Sequence, residues 1–501
     1  MSSSRPPQAV SGARASRVLV AVTTSFILAV PAQALAQPVT PAEVEQMRAE
    51  LAALKARVAT LEARLSEPAP IPAPGRPLPT ARSPAVLTLP PRPGADHIAA
   101  GQAPPARPPA AWRAPGSRTD VQILGYVQLG AYKNLVGNID TRKFRVGDIR
   151  PRGDPQRRLT GDVQAQLRSS RIGFETITPT RLGKLHTVFA LDFAGSEPKP
   201  DAQEALQNNG FHLRMTHVYA SLGPFPLGGL ASEILVGQTF SNFIDDPDTP
   251  ETIDAAGPAS VPAEHQPQIR YTVVLGEQAF SVSLENPMGD YQGPGTSTRS
   301  DFDNTSTTNL APDVTAKYEA AGAWGHAQLS ALARWFQVSD GRGHQASAQG
   351  FGVIAGATLR LAADERLGGE IWYGRGIGKY IPDDFGTPNG FAVRGFGTPQ
   401  VQAATQDSSG AMLWLRHDWS PDWRSTLALS LATETYAGFV TPAPDQAPAL
   451  LTSHLNLIYQ PLSRVDFGAE LEYGRKAFRK QLHLPQADAL RLGVGSRIMF
   501  N

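Results

Sequence analysis

The sequence predicts a 16-stranded antiparallel transmembrane β-barrel, preceded by a short α-helical coiled coil and a Pro-rich linker. Three observations predict this: an N-terminal apolar heptad repeat, a later alternation of apolar and polar residues with period two, and connections that are long and short in turn. The chain therefore divides into a signal peptide (1–36), a coiled-coil helix (37–66), a Pro-rich linker (67–118) and the barrel (119–501).

The overall composition excludes several classes of function. Lys and Arg number 46 against 45 for Asp and Glu, so the charge balance gives no reason to expect a nucleic-acid partner. Cysteine is absent, which excludes disulfide frameworks and thiolate metal sites. The sequence contains no nucleophile elbow, no zincin motif and no P-loop. We therefore expect neither an enzyme nor a bound metal or cofactor.

The N-terminus has the three parts of a secretory signal. Arg5, Arg14 and Arg17 precede an apolar run at 18–30, and small residues at 34 and 36 form a cleavage site. The run is shorter than the roughly 20 residues that a spanning helix needs. The mature chain should begin near Gln37.

The next segment has the repeat of a coiled coil. Thr40, Pro41 and Glu43 form a helix N-terminus with a capping box. Apolar residues then recur at alternating spacings of three and four, forming the predicted oligomerisation seam Val44, Met47, Leu51, Leu54, Val58, Leu61 and Leu65. Flanking charges of opposite sign favour parallel self-association, although a single amphipathic helix lying on another domain is the alternative. The Pro-rich segment that follows is interpreted as a semi-rigid tether.

From residue 121 the apolar residues recur with period two. In the clearest case, Val465, Phe467 and Leu471 alternate with Asp466 and Glu470. Such runs predict strands near 121–132, 164–175, 184–193, 211–222, 231–238, 267–275, 279–286, 312–319, 324–337, 350–361, 366–373, 411–419, 423–435, 452–460, 465–474 and 488–500. Long connections follow the odd strands and short ones the even strands, the asymmetry typical of outer-membrane barrels.

One long connection, 239–266, is acidic. It follows the fifth predicted strand, carries no Lys or Arg, and contains the carboxylates Asp245, Asp246, Asp248, Glu251 and Asp254. In sixteen-stranded porins the corresponding loop folds into the barrel and narrows the pore, so these residues are the predicted constriction. A solvated surface loop or a weak calcium site are the alternatives.

A basic pore wall is expected opposite the acidic loop. Seven arginines occupy positions whose strand phase faces the lumen, namely Arg171, Arg214, Arg270, Arg360, Arg416, Arg491 and Arg497. Arginine on the lipid face would be costly, and rings of Arg in a pore favour anions. Acidic residues share these phases, so a weakly selective pore of mixed charge is an almost equal alternative.

Several segments together carry a resemblance to a known family. They are Arg171-Ile172-Gly173-Phe174-Glu175-Thr176 with Thr178-Pro179-Thr180, Gly237-Gln238-Thr239-Phe240-Ser241, Pro250-Glu251-Thr252-Ile253-Asp254, Gln266-Pro267-Gln268-Ile269-Arg270-Tyr271-Thr272 and Glu285-Asn286-Pro287. In these segments the chain resembles the DcaP-like outer-membrane porins, trimeric barrels preceded by an N-terminal coiled coil. The resemblance implies a homotrimer and passage of small organic anions such as dicarboxylates.

These patterns together predict an outer-membrane porin for passive diffusion of small hydrophilic solutes, with its coil in the periplasm. The expected partners are further copies of the chain, outer-membrane lipid and small anionic solutes, with peptidoglycan as a further candidate. Two alternative functions remain: a structural barrel that anchors the cell wall, and a barrel-borne hydrolase using Asp245 and Asp246 with His265.

Overall fold

The computed structural model describes residues 112–113, 115–137, 139, 144–158, 161, 163–195, 212–244, 249–287, 291–292, 298–299, 311–381, 390–440, 447–477 and 487–500. The predicted signal peptide, the coiled coil and most of the linker lie outside these residues. No helix in the described part of the chain is long and apolar enough to cross a membrane.

Sixteen long strands form one closed antiparallel barrel. They are β1 (Asp120–Val136), β2 (Arg171–Thr180), β3 (Gly183–Asp192), β4 (Arg214–Leu227), β5 (Leu230–Phe240), β6 (His265–Leu275), β7 (Gln278–Glu285), β8 (Asp313–Gly322), β9 (Gly325–Ser339), β10 (Gln345–Arg360), β11 (Glu365–Arg375), β12 (Asp407–Ser420), β13 (Trp423–Thr435), β14 (Ala449–Leu462), β15 (Val465–Ala477) and β16 (Ala487–Met499). The predicted sixteen-stranded antiparallel barrel is confirmed, whereas the predicted coiled coil lies outside the described residues and stays a prediction.

Pairing between the first and last strands closes the barrel. β1 pairs with β16 through Tyr126 opposite Met499, and with β2 on its other side through Gln122 opposite Glu175. Closure leaves no unpaired strand edge, which is what a sheet needs in the absence of water.

The alternation along each strand separates an apolar exterior from a polar interior. On β15, Phe467 and Leu471 are exposed on the outer surface, whereas Glu470 and Glu472 are buried inside. A charged side chain on the lipid face costs several kcal/mol near the bilayer centre, so the pattern fixes which face points inward.

The connections define two ends of the barrel. At the turn end, short turns at 181–182, 228–229, 276–277, 323–324, 361–364, 421–422 and 463–464 follow the even strands. At the loop end the connections are mostly long, and we number them L1 (137–170), L2 (193–213), L3 (241–264), L4 (286–312), L5 (340–344), L6 (376–406), L7 (436–448) and L8 (478–486). The exception is L5 (340–344), which the sequence predicted to be longer. There Asp340 accepts hydrogen bonds from the backbone of Arg342 and His344, which closes a tight turn and lets both strands continue.

Further short elements lie beside the barrel strands. The segments Trp112–Arg113 and Val163–Gln166 pair with β1. A separate four-stranded sheet joins L4 to L6 through the segments Tyr291–Gln292, Thr298–Arg299, Phe391–Arg394 and Gln402–Thr405. Short 3-10 helices occur in L1 at Val146–Asp148 and Pro155–Arg158, and in L6 at Gly378–Tyr380.

Candidate channel lumen and constriction

L3 (241–264) enters the interior directly after β5. At its start, the Ser241 hydroxyl donates to Glu285 of β7 at 2.6 Å. The Asn242 side chain donates to the Thr315 hydroxyl of β8 at 3.0 Å. Both partners are buried, inward-facing side chains. The loop therefore begins inside the barrel rather than above it.

Farther along L3, Glu251 forms a buried ion pair with the opposite part of the wall. Arg424 of β13 donates to both carboxylate oxygens, at 2.9 and 2.8 Å. Arg416 of β12 adds a third contact at 3.3 Å, and the Asn456 side chain of β14 donates to the Glu251 carbonyl at 2.6 Å. Bidentate Arg–carboxylate pairing is among the strongest geometries for such a bond. We call this the Glu251 clamp.

A second attachment follows at Ile253 and Asp254. The Asp254 carboxylate pairs with Arg491 of β16 and accepts the backbone N–H of Phe144 in L1 at 3.0 Å. The Ile253 N–H donates to Glu470 of β15. These contacts, which we call the Asp254 clamp, attach L3 and L1 to the same strands.

The charges around the Asp254 clamp form a buried network. Arg491 also pairs with Glu472 at 2.5 Å. His454 Nδ1 lies 2.8 Å from Glu470 and 3.9 Å from Glu472. Asp254 and Glu472 thus share the Arg491 guanidinium, and His454 links Glu470 to Glu472, so the carboxylates of this network outnumber its single arginine.

The returning half of L3 packs on β11 to β14. The Trp372 ring N–H donates to the Ser260 carbonyl at 2.8 Å, and the Ala259 N–H donates to Thr452 at 3.2 Å. A Cβ atom at Gly410 would lie only 2.3 Å from the Trp372 ring, so glycine provides the space for that indole.

Parts of L1 and L6 also turn inward and complete an apolar cluster around L3. Phe243 of L3 packs edge-on against Tyr380 of L6, with ring centroids 5.3 Å apart. Phe144 of L1 and Ile377 of L6 belong to the same buried cluster. The Tyr380 hydroxyl donates to Asp313 of β8 at 2.9 Å. Three loops therefore narrow the interior, although the sequence singled out only one.

Burial changes the acidity of loop groups in this region. It raises the pKa of Glu264, at the end of L3, to about 7, despite the opposing effect of Lys379 and Arg334. Burial lowers the pKa of Lys379 and raises that of Tyr380. Glu264 is thus a carboxyl of L3 whose charge changes near neutral pH.

Another charged group lies at the loop end of β2, β3 and β4. Asp192 is the cross-strand neighbour of both Arg171 and Arg214. Its carboxylate is 2.6 Å from the Arg214 guanidinium, but the two side chains differ in exposure, 7% for the aspartate and 44% for the arginine. Arg270 of β6 donates to neutral acceptors, Gln268 at 2.9 Å and the Phe240 carbonyl at 2.7 Å.

The structure brings several predicted site residues together. Glu251 contacts Arg416, and Asp254 contacts Arg491, so predicted acidic and basic residues meet directly in ion pairs. Arg497 pairs instead with Asp466 at 2.7 Å. Arg360 is exposed at the turn end, and Asp245, Asp246 and Asp248 lie outside the described residues.

Sequence reasoning missed three inward-facing arginines. Arg424 holds Glu251, Arg334 of β9 pairs with Asp313 at 3.1 Å, and Arg366 of β11 lies beside Arg416 in the sheet. Each shares the strand phase of neighbouring lumen residues. Applying the period-two rule to every arginine in a strand would have found all three.

A closed sixteen-stranded barrel with an apolar exterior, a charged interior and an inward-folded third loop defines a channel of the outer membrane. The model of one family, described as DcaP outer membrane protein, matches residues 115–485. The chain therefore belongs to the DcaP outer membrane protein family, as the sequence predicted, and its location is the outer membrane.

Several solved structures are similar to this chain, and the first of those that follow shares its fold. The outer membrane channel DcaP of Acinetobacter baumannii has 21% identity and a TM-score of 0.63, covering 78% of this chain and 100% of that chain. An anion-selective porin from Comamonas acidovorans has 12% identity and a TM-score of 0.45, covering 76% and 100%. OmpT of Vibrio cholerae has 9% identity and a TM-score of 0.43, covering 78% and 100%. No curated protein sequence matches the chain.

Proposed function

We propose that this channel lets small hydrophilic solutes diffuse passively and prefers small organic anions, dicarboxylates among them. The observation that carries the preference is the unequal exposure at the Asp192–Arg214 pair, where the guanidinium meets the lumen and the carboxylate is buried. Arg171 is the cross-strand neighbour of the same carboxylate on its other side, so two arginines flank one aspartate. Exposed charges set the potential that a permeating ion meets.

In this proposal L3 is the constriction, and its acidic residues act mainly as anchors. Glu251 and Asp254 are both buried and paired with arginines of the wall, so neither carboxylate is exposed to a permeating solute. Arg270, bonded to neutral acceptors, keeps its positive charge. A mixed-charge pore without selectivity is the competing outcome.

Purified full-length protein in planar bilayers tests the proposal. Insertion of single channels should give stepwise conductance. Under a salt gradient, the reversal potential should have the sign expected for anion preference. Replacing Arg171 and Arg214 together by Gln should move the reversal potential toward cation preference. Arg375→Gln, on the outer face beside Asp407, is the matched control and should change little. Absence of stepwise conductance, or a cation preference of the unaltered protein, would contradict the proposal.

We further propose that the chain assembles as a homotrimer with its N-terminal coil in the periplasm. The heptad seam and its oppositely charged flanking pairs support self-association. With the N-terminus in the periplasm, the turn end of the barrel faces the periplasm and the loop end faces outward.

A further inference from the structure

Three arginines form a row across neighbouring strands at the turn end of the lumen. Arg360 of β10 lies directly opposite Arg366 of β11, which lies opposite Arg416 of β12. The row faces inward, because the adjacent Leu359 and Leu415 are exposed on the outer surface. Directly opposed residues in an antiparallel pair have Cβ atoms about 5 Å apart. We call Arg360, Arg366 and Arg416 the turn-end arginine row.

Carboxylates near this row are too few to balance it. Arg416 lies 2.8 Å from Asp418 and 3.3 Å from Glu251. Glu251 is shared with Arg424, which it contacts at 2.8 Å. The nearest ion-pair distance for Arg366 is 3.9 Å, to the same Asp418.

The shortage of carboxylates is greatest at the Arg360 end of the turn-end arginine row. Among the described residues, Arg360 has no ion pair. Glu365, although next to Arg366 in sequence, takes the opposite strand phase and lies 3.6 Å from His417. Positive charge therefore accumulates around Arg360 and Arg366.

Hydrogen-bonding capacity is unused at the same place. The Nη1 atom of Arg366 is buried and has no hydrogen-bond partner among the described atoms. Like charges directly opposed across strands are unfavourable, and a buried donor without an acceptor is costly. A small oxyanion bound here would reduce the repulsion between the arginines and would accept the unpaired hydrogen bond. A carboxylate suits this role because a guanidinium presents paired N–H donors that match its two oxygens.

We propose that the turn-end arginine row is a second anion subsite, which binds the carboxylate of a permeating solute after it has passed L3. This inference rests on the proposed function and names a second binding position along the same path. Two weak sites in series allow an anion to enter and to leave, since one solute can displace the next.

The test uses full-length protein in planar bilayers, with succinate or inorganic phosphate added to each side in turn. Transient interruptions of the current report binding, and their duration gives the residence time of the anion. Replacing Arg360 and Arg366 together by Gln should shorten the residence of succinate several-fold. Arg375→Gln removes one guanidinium from the outer face and should leave residence times unchanged. Arg366→Lys keeps the charge but loses the paired donors, so it should shorten the residence of succinate less than the double variant does. This single variant tests the subsite even if the double variant fails to fold.

The outcomes separate the subsite from the proposed function. Suppose that the unaltered channel prefers anions, but that the double variant or Arg366→Lys keeps the original residence time of succinate. That result would overturn the subsite and leave the proposed function standing. Interruptions by phosphate without any by succinate would overturn the carboxylate assignment. An unaltered protein that gives no conductance would instead overturn the proposed function.

Discussion

The Glu264 carboxyl lies half-buried where L3 rejoins the barrel, close to groups of both signs. Its pKa of about 7 means that the folded protein holds this proton at pH values where an exposed glutamate has lost it. Because folding raises this pKa, the protonated carboxyl favours the folded state. Its contribution to the free energy of unfolding is present at low pH and is lost as the pH rises through about 7.

We expect this titration to change selectivity. Above neutral pH, Glu264 adds a negative charge to the loop region, so the anion preference should weaken between about pH 5.5 and about pH 8.5. Glu264→Gln should remove most of that change in reversal potential. Glu277→Gln, an exposed carboxyl in the turn at 276–277, is the control. A Glu264→Gln channel with the full pH dependence of the unaltered one would show that another group is responsible.

At the scale of elements, the position of L3 depends on two clamps rather than on its own conformation. Glu251 is buried against Arg424 and Arg416, and Asp254 against Arg491. A buried carboxylate needs its partners, because removing one leaves a charge that is neither hydrated nor paired.

Arg424→Gln should therefore destabilise the protein by about 3 kcal/mol. The same change should release the tip of L3, so we expect a larger single-channel conductance with more open-channel noise. Denaturant unfolding in detergent measures the first effect and bilayer recording the second. Arg375→Gln breaks an exposed pair and should cost less than about 1 kcal/mol. Unchanged stability and conductance in Arg424→Gln would mean that the Glu251 clamp does not hold the loop.

For the whole molecule, the seam of the predicted coil and the barrel should contribute separately to assembly. Leu51→Asn with Leu54→Asn places amides at seam positions and should reduce the trimer fraction in native gels, because the seam loses apolar burial. Conductance per barrel should persist. The matched change Ala52→Asn with Ala53→Asn lies outside the seam and should preserve the trimer. Equal trimer fractions in the two variants would show that the coil does not contribute to trimer assembly.

The sequence by itself determined the barrel, its strand number and the inward phase of its charged residues. These follow from period-two alternation and turn spacing, which are local properties of the chain. Counting strands also singled out L3, the loop that the structure places inside the barrel.

Only the tertiary structure decided which charges meet. Glu251 and Arg424 are separated by 173 positions, and their pairing depends on where L3 crosses the lumen. The alignment of Arg360, Arg366 and Arg416 depends on the register between three strands. Burial, which separates the exposed Arg214 from the hidden Asp192, likewise exists only once the barrel has closed. Which face of the strand a residue occupies is set by its neighbours in sequence. Its ion-pair partners and its solvent exposure are set by its neighbours in space.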